Sequence, residues 1–361
     1  MTPTPLLPAP RALLEHLPAY VAGRRATSAD VAALASNESH HAPLPSVLTA
    51  IAEASQRVNR YPDPQGLALR DAIAAHVGVD VEQVAIGPGS NGILQQLLAA
   101  ICDPGDEVVH AWRSFEAYPI LARLAGATPV GVPLDGERHD LPAMAAAITP
   151  RTRVVLLCTP NNPTGVALTT AEVEHFLAAV PRDVLVVIDE AYVEYDGSGF
   201  DGPALLRRHP NVALVRTFSK AHGLAGLRLG YAVAAPAIAE AIRRTMLTFA
   251  VTDLAQAAGL ASLAATAELR ERVGQVVAER TRVTAELRRL GWETPDSQAN
   301  FVWLRCGDHH REELLAAFDA ADVLVRGYAG DGIRITLADR ASNDRALAIL
   351  TAAPAVVAVP A

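Results

Sequence analysis

The chain has 361 residues, of which 50% are hydrophobic and 19% are charged, and its formal net charge is −8. These values predict a globular protein with a large core and room for two domains. The negative charge argues against nucleic acid or an anionic membrane as a partner. No apolar stretch reaches the roughly 20 residues of a membrane span, and the proline-rich N-terminus does not resemble a secretory signal.

Cysteine and histidine usage limits the classes of site. Cys102, Cys158 and Cys306 are odd in number and far apart in the sequence, which favours reduced thiols in a cytoplasmic protein. Two pairs of adjacent histidines, at residues 40–41 and 309–310, cannot share one helix face as an i, i+4 metal pair would. We therefore predict no metal site.

Short apolar runs alternate with helix-like segments along the first two thirds of the chain. The predicted strands cover residues 83–86, 107–111, 128–132, 153–158, 184–188, 212–216 and 230–234. The predicted helices between them cover residues 92–101, 115–124, 170–180 and 203–208. This alternation predicts an α/β fold with a seven-stranded, mostly parallel sheet that helices cover on both faces.

The pattern changes near residue 245. A long helical region is predicted over residues 269–290, and shorter strands are predicted over residues 301–305, 323–326 and 333–337. We predict an N-terminal arm over residues 1–30, a large domain over 31–245 and a smaller α+β domain over 246–361.

One residue type is almost absent, because Lys220 is the single lysine among 31 basic side chains. Arginine stays protonated at physiological pH, whereas a primary amine can lose its proton and attack a carbonyl. Lys220 follows an apolar run, within the segment TFSK at residues 217–220. It is either a chance survivor or a residue retained for amine chemistry, of which Schiff-base formation is the commonest kind.

The segment GPGSNG, residues 87–92, stands between a predicted strand and a predicted helix. Glycine lets the backbone approach a ligand, and a helix N-terminus offers unpaired N–H groups and the positive end of a dipole. The segment is either a phosphate seat or a plain tight turn.

Two further polar segments follow predicted strands. TPNNPTG, residues 159–165, is either an Asn-Pro turn or a source of ligand-binding amides at a strand end. DEAY, residues 189–192, begins with a carboxylate that needs a cationic partner if it is buried, unless it serves as a helix cap.

Two arginines complete the pattern. Arg228 lies eight residues after Lys220 and can hold a phosphate with its planar fork of donors. Arg334 alternates with Ile333 and Ile335 on a predicted strand, so it faces away from them, either into a cleft or to solvent. Together these segments predict one ligand, a phosphorylated pyridine aldehyde, which is pyridoxal 5′-phosphate (PLP).

The order GPGSN, PNNPTG, DEAY, TFSK, GLRLGY and GIRIT resembles the class I/II, fold-type I PLP-dependent aminotransferases over nearly the whole chain. Within them, ASNE at residues 35–38 and NRYPD at 59–63 are similar to the histidinol-phosphate aminotransferase branch. The segments WRSF (112–115), KAHGLAGLR (220–228) and SQANFVW (297–303) most resemble the actinobacterial aromatic (phenylalanine) aminotransferases.

The resemblance implies a role for each matching residue. Lys220 would hold the cofactor aldehyde and then move a proton as general acid/base, and Asp189 would pair with the pyridinium nitrogen. The other implied cofactor contacts are Ser90, Asn91, Phe115, Asn162, Tyr192, Thr217, Ser219, Arg228 and, from the neighbouring subunit of a homodimer, Tyr61. The implied substrate contacts are Arg334 for the α-carboxylate, with Asn37, Tyr20, Asn300 and Arg326 nearby.

The implied activity is transamination between an aromatic L-amino acid and 2-oxoglutarate. The same fold also allows histidinol-phosphate transamination, for which Arg326 would contact the substrate phosphate, or decarboxylation of an amino acid. A non-catalytic ligand sensor of a regulator is a further alternative, but it would carry an appended basic domain, which this chain lacks.

Overall fold

The computed structural model describes residues 30–353, together with the isolated positions 11, 14, 17 and 28. Tyr20 lies outside the described residues. The α-helices are α1 Pro45–Ser55, α2 Leu67–Val77, α3 Gly89–Ile101, α4 Ala117–Leu124, α5 Leu141–Ala146, α6 Thr170–Ala179, α7 Gly202–Arg208, α8 Pro236–Arg244, α9 Asp253–Ala264, α10 Thr266–Arg289, α11 Asp308–Ala320 and α12 Arg340–Ala352. The strands are β1 Ala32–Ala33, β2 Val84–Gly87, β3 Glu107–Trp112, β4 Thr128–Asp135, β5 Arg138–His139, β6 Thr152–Cys158, β7 Leu185–Asp189, β8 Val212–Thr217, β9 Gly230–Val233, β10 Phe301–Arg305, β11 Val323–Leu324, β12 Arg326–Tyr328 and β13 Gly332–Thr336.

The large sheet has the order β2-β9-β8-β7-β6-β3-β4-β5. Neighbouring strands from β8 through β4 are parallel, whereas β9 is antiparallel to both β8 and β2. The α/β class and the mostly parallel sheet are therefore confirmed. The predicted count of seven strands differs by one within the described residues, because the two-residue strand β5 pairs with the edge of β4 and is too short to leave a sequence pattern.

The central strands are continuous apolar runs because both of their faces are buried. In β7, Val186 and Ile188 belong to the core on one face of the sheet, and Leu185 and Val187 belong to the core on the other face. Helices are therefore required on both sides. This arrangement leaves the strand ends as the places where polar side chains can meet a ligand.

The carboxyl ends of β6, β7 and β8 lie side by side. Cys158 pairs with Asp189 across β6 and β7, and Asp189 pairs with Val215 across β7 and β8. Because the three strands are parallel and neighbouring, the loops that follow them start at one edge of the sheet. The segments holding Asn162, Asp189 and Lys220 are brought together in this way.

The C-terminal part forms a second, smaller unit. It contains the antiparallel sheet β10-β13-β12, which shares a core with α10, α11 and α12. Two short segments pack against the domain to which they were not assigned. β1, from the predicted large domain, pairs with β11 of the small unit, and residues 255 and 258 of α9, from the predicted small domain, belong to the core of the large sheet. The boundaries after residues 30 and 245 remain predictions.

Within residues 30–353, no helix combines the length and the apolar character needed to cross a membrane.

Candidate active site

A cavity of about 730 Å³ lies between the strand ends of the large sheet and the β12–β13 hairpin. It is the place where most of the predicted site residues meet. Those that line it are Asn37, Ser90, Asn91, Phe115, Asn162, Asp189, Tyr192, Thr217, Ser219, Lys220, Arg228, Arg326 and Arg334.

Two predicted residues do not line this cavity. Asn300 is buried behind Asn37, and its Nδ2 donates to the Asn37 carbonyl oxygen at 3.2 Å. Its predicted contact with substrate stays a prediction, and in the structure its hydrogen bond is to Asn37, which does line the cavity. Tyr61 is 82% exposed and stacks on Phe249, with ring centroids 4.4 Å apart.

The amine of Lys220 lies in a cationic part of the cavity. Its Nζ donates to the carbonyl oxygen of Ser36 at 3.1 Å. Burial lowers the pKa of Lys220 to about 7, and the nearby cations Arg334 and Arg228 act in the same direction against Glu38 and Asp189. A substantial fraction of this amine is therefore neutral near pH 7 and able to accept a proton.

Asp189 ends strand β7 and is fully buried. Its Oδ2 accepts a hydrogen bond from the hydroxyl of Tyr118 at 2.8 Å, and its Oδ1 accepts from the Ala191 amide at 3.2 Å. Burial raises the pKa of Asp189 to about 6, although these two hydrogen bonds favour the ionised form. A cation in the cavity would stabilise the carboxylate further.

Sequence analysis missed Tyr118. It lies three residues after Phe115, and the two rings are perpendicular with centroids 5.5 Å apart. Residues three positions apart share one face of a helix, and this spacing within the helix predicted over residues 115–124 was the available signal. In the structure α4 begins at Ala117, so Phe115 precedes the helix.

The N-terminus of α3 and the guanidinium of Arg228 form an anion seat. Gly89 has φ +79°, and a Cβ there would lie 2.4 Å from Arg228 Nη2. A Cβ on Gly230 would lie 2.4 Å from the Ser90 amide nitrogen. Both glycines are therefore needed for this close approach. Arg228 Nη1 also donates to Ser219 Oγ at 3.2 Å, so the Ser219 hydroxyl belongs to the same anion-binding site.

Asn37 and Tyr192 are fixed by a buried hydrogen-bond network. The Nδ2 of Asn37 donates to the Tyr192 hydroxyl at 2.9 Å. The backbone N–H of Asn37 donates to Thr336 Oγ1, whose hydroxyl donates to Asn37 Oδ1, both at 2.9 Å. The network joins the segment before α1 to β13 and holds the Tyr192 hydroxyl at the cavity wall.

Arg334 is the most deeply placed cation at the cavity. It is 6% exposed, its Nη1 donates to Asn162 Oδ1, and its Nη2 donates to the Ala35 carbonyl oxygen at 2.6 Å. Its Nε is buried without a hydrogen-bond partner among the described residues. A buried, part-satisfied guanidinium of this kind is suited to bind a carboxylate.

A second arginine lies at the outer end of the cavity. Arg326 Nη2 forms an ion pair with Glu116 Oε2 at 2.8 Å. Ile120, Leu121 and Leu124 of α4 also line the cavity. The cavity therefore combines an apolar wall on α4 with one compensated cation at its outer end.

A buried polar cluster supports the loop after β6, and sequence analysis did not find it. Ser114 Oγ donates to Asn161 Oδ1 at 2.8 Å, and His139 Nε2 lies 3.2 Å from the same oxygen. Burial lowers the pKa of His139 to about 4, so this imidazole is neutral at pH 7. Asn161 and Thr164 are joined by a further hydrogen bond of 3.0 Å, which fixes the turn that carries Asn162.

Among residues 30–353, no group of three or more His, Cys, Asp or Glu side chains is placed to hold a metal ion. The charged groups at the cavity are instead the Lys220 amine, three arginines and the carboxylates of Glu38, Glu116 and the buried Asp189. The arrangement can hold an anionic, heteroaromatic ligand and move a proton through Lys220.

Comparison with known proteins agrees with this arrangement. The aromatic amino acid aminotransferase of Rhodococcus jostii (strain RHA1) is 54% identical over 351 residues, which cover 97% of each chain. The protein of the same name from Thermobifida fusca is 51% identical over 348 residues, covering 95% of this chain and 97% of that one.

A solved structure is similar over the same extent. The histidinol-phosphate aminotransferase from Sinorhizobium meliloti, in complex with pyridoxal-5′-phosphate, superposes with a TM-score of 0.88 at 30% identity, covering 96% of this chain and 98% of that one. Residues 29–350 match the family described as aminotransferase class I and II. The chain therefore belongs to the class I and II aminotransferases.

Proposed function

We propose that this protein is a PLP-dependent aminotransferase that transfers the amino group of an aromatic L-amino acid to 2-oxoglutarate. The observation that carries the proposal is the meeting of Lys220, Asp189 and Arg228 in one cavity that also has an apolar wall on α4. The names of the relatives from Rhodococcus and Thermobifida support the aromatic preference.

The residues present fit PLP. Glycine at positions 89 and 230 leaves room where a Cβ would collide with Arg228 and with the Ser90 amide, as a phosphate seat requires. Asp189 is a buried carboxylate suited to a protonated ring nitrogen, and Tyr192 and Asn162 are at hand for the phenolic oxygen. When bound, PLP supplies an electron-poor ring that accepts the electron pair released at the substrate Cα.

Lys220 provides the amine for the cofactor aldehyde and the base for the reaction. Its lowered pKa, about 7, leaves the amine partly neutral near physiological pH, where a general base is most effective. With the cofactor bound, Nζ would take the proton from the substrate Cα and hold it until it is returned. The same atom serves donor and acceptor, because the second half of the reaction reverses the first.

Arg334 orients the substrate through its α-carboxylate. It is held by Asn162 and Ala35, on opposite sides of its guanidinium, so its position is fixed before a ligand arrives. Asn37 lies beside Asn162 and Tyr192 at the same wall. Every amino acid and keto acid substrate carries this carboxylate, so Arg334 contributes to binding of both substrates.

The lining of the cavity supports aromatic substrates over histidinol phosphate. The side chains of Ile120, Leu121 and Leu124 present an apolar surface that suits a ring. Arg326 is already paired with Glu116, and a carboxylate beside it disfavours a phosphate dianion. Arg326 remains suited to the distal carboxylate of 2-oxoglutarate, which carries a single charge.

We also propose a homodimer in which Tyr61 reaches the cavity of the neighbouring subunit. Tyr61, Val58 and Leu247 are 82%, 66% and 79% exposed, which is unusual for apolar side chains of this size. A second copy of the chain covering them would bury this surface. Light scattering on the purified protein tests the dimer, and a monomer that is fully active would contradict it.

Cys102, Cys158 and Cys306 are free thiols in the structure, and Cys102 and Cys158 are buried. These features support a cytoplasmic location, which fluorescence microscopy of a tagged protein would test.

A substrate panel tests the proposed activity. The purified protein, loaded with PLP, would be assayed with phenylalanine, tyrosine, aspartate and histidinol phosphate, each with 2-oxoglutarate. We expect the highest kcat/KM for the aromatic amino acids and no release of CO₂ when the keto acid is omitted. Faster turnover of histidinol phosphate would contradict the proposal and favour histidinol-phosphate transamination.

A further inference from the structure

The ion pair between Glu116 and Arg326 joins two parts of the molecule inside the cavity. Glu116 directly precedes α4, and Arg326 is the first residue of β12, 210 positions later in the chain. Their side chains are 30% and 14% exposed, so the pair is partly shielded from water. Both residues line the cavity wall.

The position of Arg326 relative to Arg334 gives this ion pair its importance. The two arginines are directly opposite each other in the antiparallel pairing of β12 with β13, so their side chains leave the same face of the sheet. Their guanidinium carbons lie 5.5 and 5.7 Å from the ring centroid of Tyr328. A ligand that holds Arg334 through one carboxylate therefore lies near a second cation.

Binding an uncharged substrate side chain next to Arg326 is unfavourable unless a nearby anion compensates the charge of the arginine. A partly buried guanidinium left without its anion loses hydration without a replacement. Glu116 supplies the anion, so an aromatic ring that reaches this part of the cavity lies beside a neutral pair. An anionic substrate side chain faces the opposite situation, because it must compete with Glu116 for Arg326 and is repelled by the carboxylate.

We propose that Glu116 is a specificity-determining residue. It neutralises Arg326 while an uncharged side chain occupies the cavity, and it leaves Arg326 when a distal carboxylate takes its place. The idea deepens the proposed function, on which it rests, because it explains how one cavity accepts an aromatic donor and a dicarboxylic acceptor.

The surroundings of Glu116 allow this exchange. Its side chain reaches solvent, so the carboxylate can turn toward water when Arg326 is occupied. The residue also stands at the N-terminus of α4, where the positive end of the helix dipole favours a carboxylate. Because this interaction does not depend on Arg326, it continues to favour the carboxylate after the ion pair has opened.

A second ion pair offers a matched control. Arg305 and Glu137 also join the small unit to the large one, with Nε and Oε1 2.5 Å apart, but neither residue lines the cavity. Loss of this pair would change contacts between the units without changing charge in the cavity. Glu116→Gln and Glu137→Gln therefore separate the two effects.

The test measures binding of two non-reacting acids to the PLP-loaded enzyme by calorimetry. Glutarate stands for the dicarboxylic substrates and 3-phenylpropionate for the aromatic ones. We expect Glu116→Gln to tighten glutarate about tenfold and to leave 3-phenylpropionate unchanged or weaker, a change equivalent to about 1.4 kcal/mol in preference. Glu137→Gln should leave the preference as it is, and Glu116→Ala should repeat the result of Glu116→Gln.

Three outcomes would overturn the inference: no change in preference, an equal change in Glu137→Gln, or a shift that persists when Arg326→Gln is added to Glu116→Gln. The same preparations are mixed with phenylalanine and with glutamate in single half-reactions. Absence of reaction with aromatic amino acids in the wild-type enzyme would refute the proposed function, while the glutarate measurement would still report on Glu116.

Discussion

The two ends of the cavity are constructed differently. The inner end, with Asp189 and Lys220, is formed by neighbouring strand ends of a single large sheet and by the helices packed on it. The outer end is formed where that sheet meets the small unit, and its defining contact joins Glu116 to Arg326. One end depends on a rigid element, and the other depends on how two units face each other.

This difference suggests a division of roles. Groups attached to the large sheet act on atoms that all substrates share, so a change there should affect every substrate equally. Groups at the outer end contact the part of the substrate that varies, so a change there should alter the ratio between substrates. Arg334 lies on β13 directly opposite Arg326, and the group proposed for it, the α-carboxylate, is common to all substrates.

The largest effect is expected for Lys220→Arg. A guanidinium retains the positive charge but cannot release its proton or bind the cofactor aldehyde, so kcat/KM should fall by about 10³-fold or more with every substrate. The measurement is kcat/KM with phenylalanine and with glutamate, together with the absorbance of the bound cofactor. Equal circular dichroism spectra would confirm that the variant folds. Activity within tenfold of the wild type would show that Lys220 is not the base.

A smaller loss is expected for Arg334→Gln. The variant removes the cation proposed for the shared α-carboxylate, so KM should rise about a hundredfold for donor and acceptor alike. Arg334→Lys should be intermediate, because an ammonium keeps the charge but lacks the planar fork of donors. Steady-state kinetics with both substrates varied is the measurement. A loss confined to aromatic substrates would place Arg334 at the outer end instead.

A loss of about tenfold in kcat is expected for Tyr118→Phe. The hydroxyl donates to Asp189 at 2.8 Å, and a hydrogen bond to a charged group contributes about 1.5–3 kcal/mol. Without it the pKa of Asp189 should rise further, and the ionised form would be less populated.

If the two ends of the cavity have separate roles, the loss of kcat in Tyr118→Phe should be the same for aromatic and dicarboxylic substrates. Tyr195→Phe is the matched control, because Tyr195 is a buried tyrosine that does not line the cavity. A substrate-dependent loss in Tyr118→Phe would break the proposed division between the two ends.

The smallest effect concerns stability and pH. The pKa of Lys220 is lowered by burial from 10.5 to about 7, so above pH 7 the unfolded chain binds a proton that the folded chain releases. The free energy of unfolding of the cofactor-free protein should therefore rise with pH, and Lys220 should contribute about 1 kcal/mol of that rise between pH 7 and 8. Urea unfolding of the wild type and Lys220→Met at both pH values measures the difference. An equal change in both proteins would mean that Lys220 keeps its ordinary pKa.

Much of the fold was predictable from local patterns. The apolar runs that became β6, β7 and β8 were found within one or two residues, because strands buried on both faces leave continuous apolar segments. β5 was missed because a strand of two residues is too short to show an alternation of apolar and polar side chains. The predicted strand over residues 323–326 is two strands, β11 and β12, because residues 323–324 pair with β1 and residues 326–328 pair with β13.

The inner end of the cavity was more predictable than the outer end. Asn162, Asp189 and Lys220 each follow a predicted strand, and parallel neighbours end at one edge, so their proximity followed from their order. Asn300 does not line the cavity and instead donates to the carbonyl oxygen of Asn37, which does. Its proximity to Asn37, 263 positions earlier in the chain, could not be read from either local segment.

The sequence by itself determined the longer strands of the large sheet, the order of polar segments at their ends and the single amine among them. These features follow from hydrophobic periodicity and from the chemistry of individual residue types, both of which are local. Only the tertiary structure decided that Tyr118 donates to Asp189 and that Glu116 compensates Arg326. Such pairs depend on how helices and separate units pack over long distances in the chain, and that packing is set by the whole core.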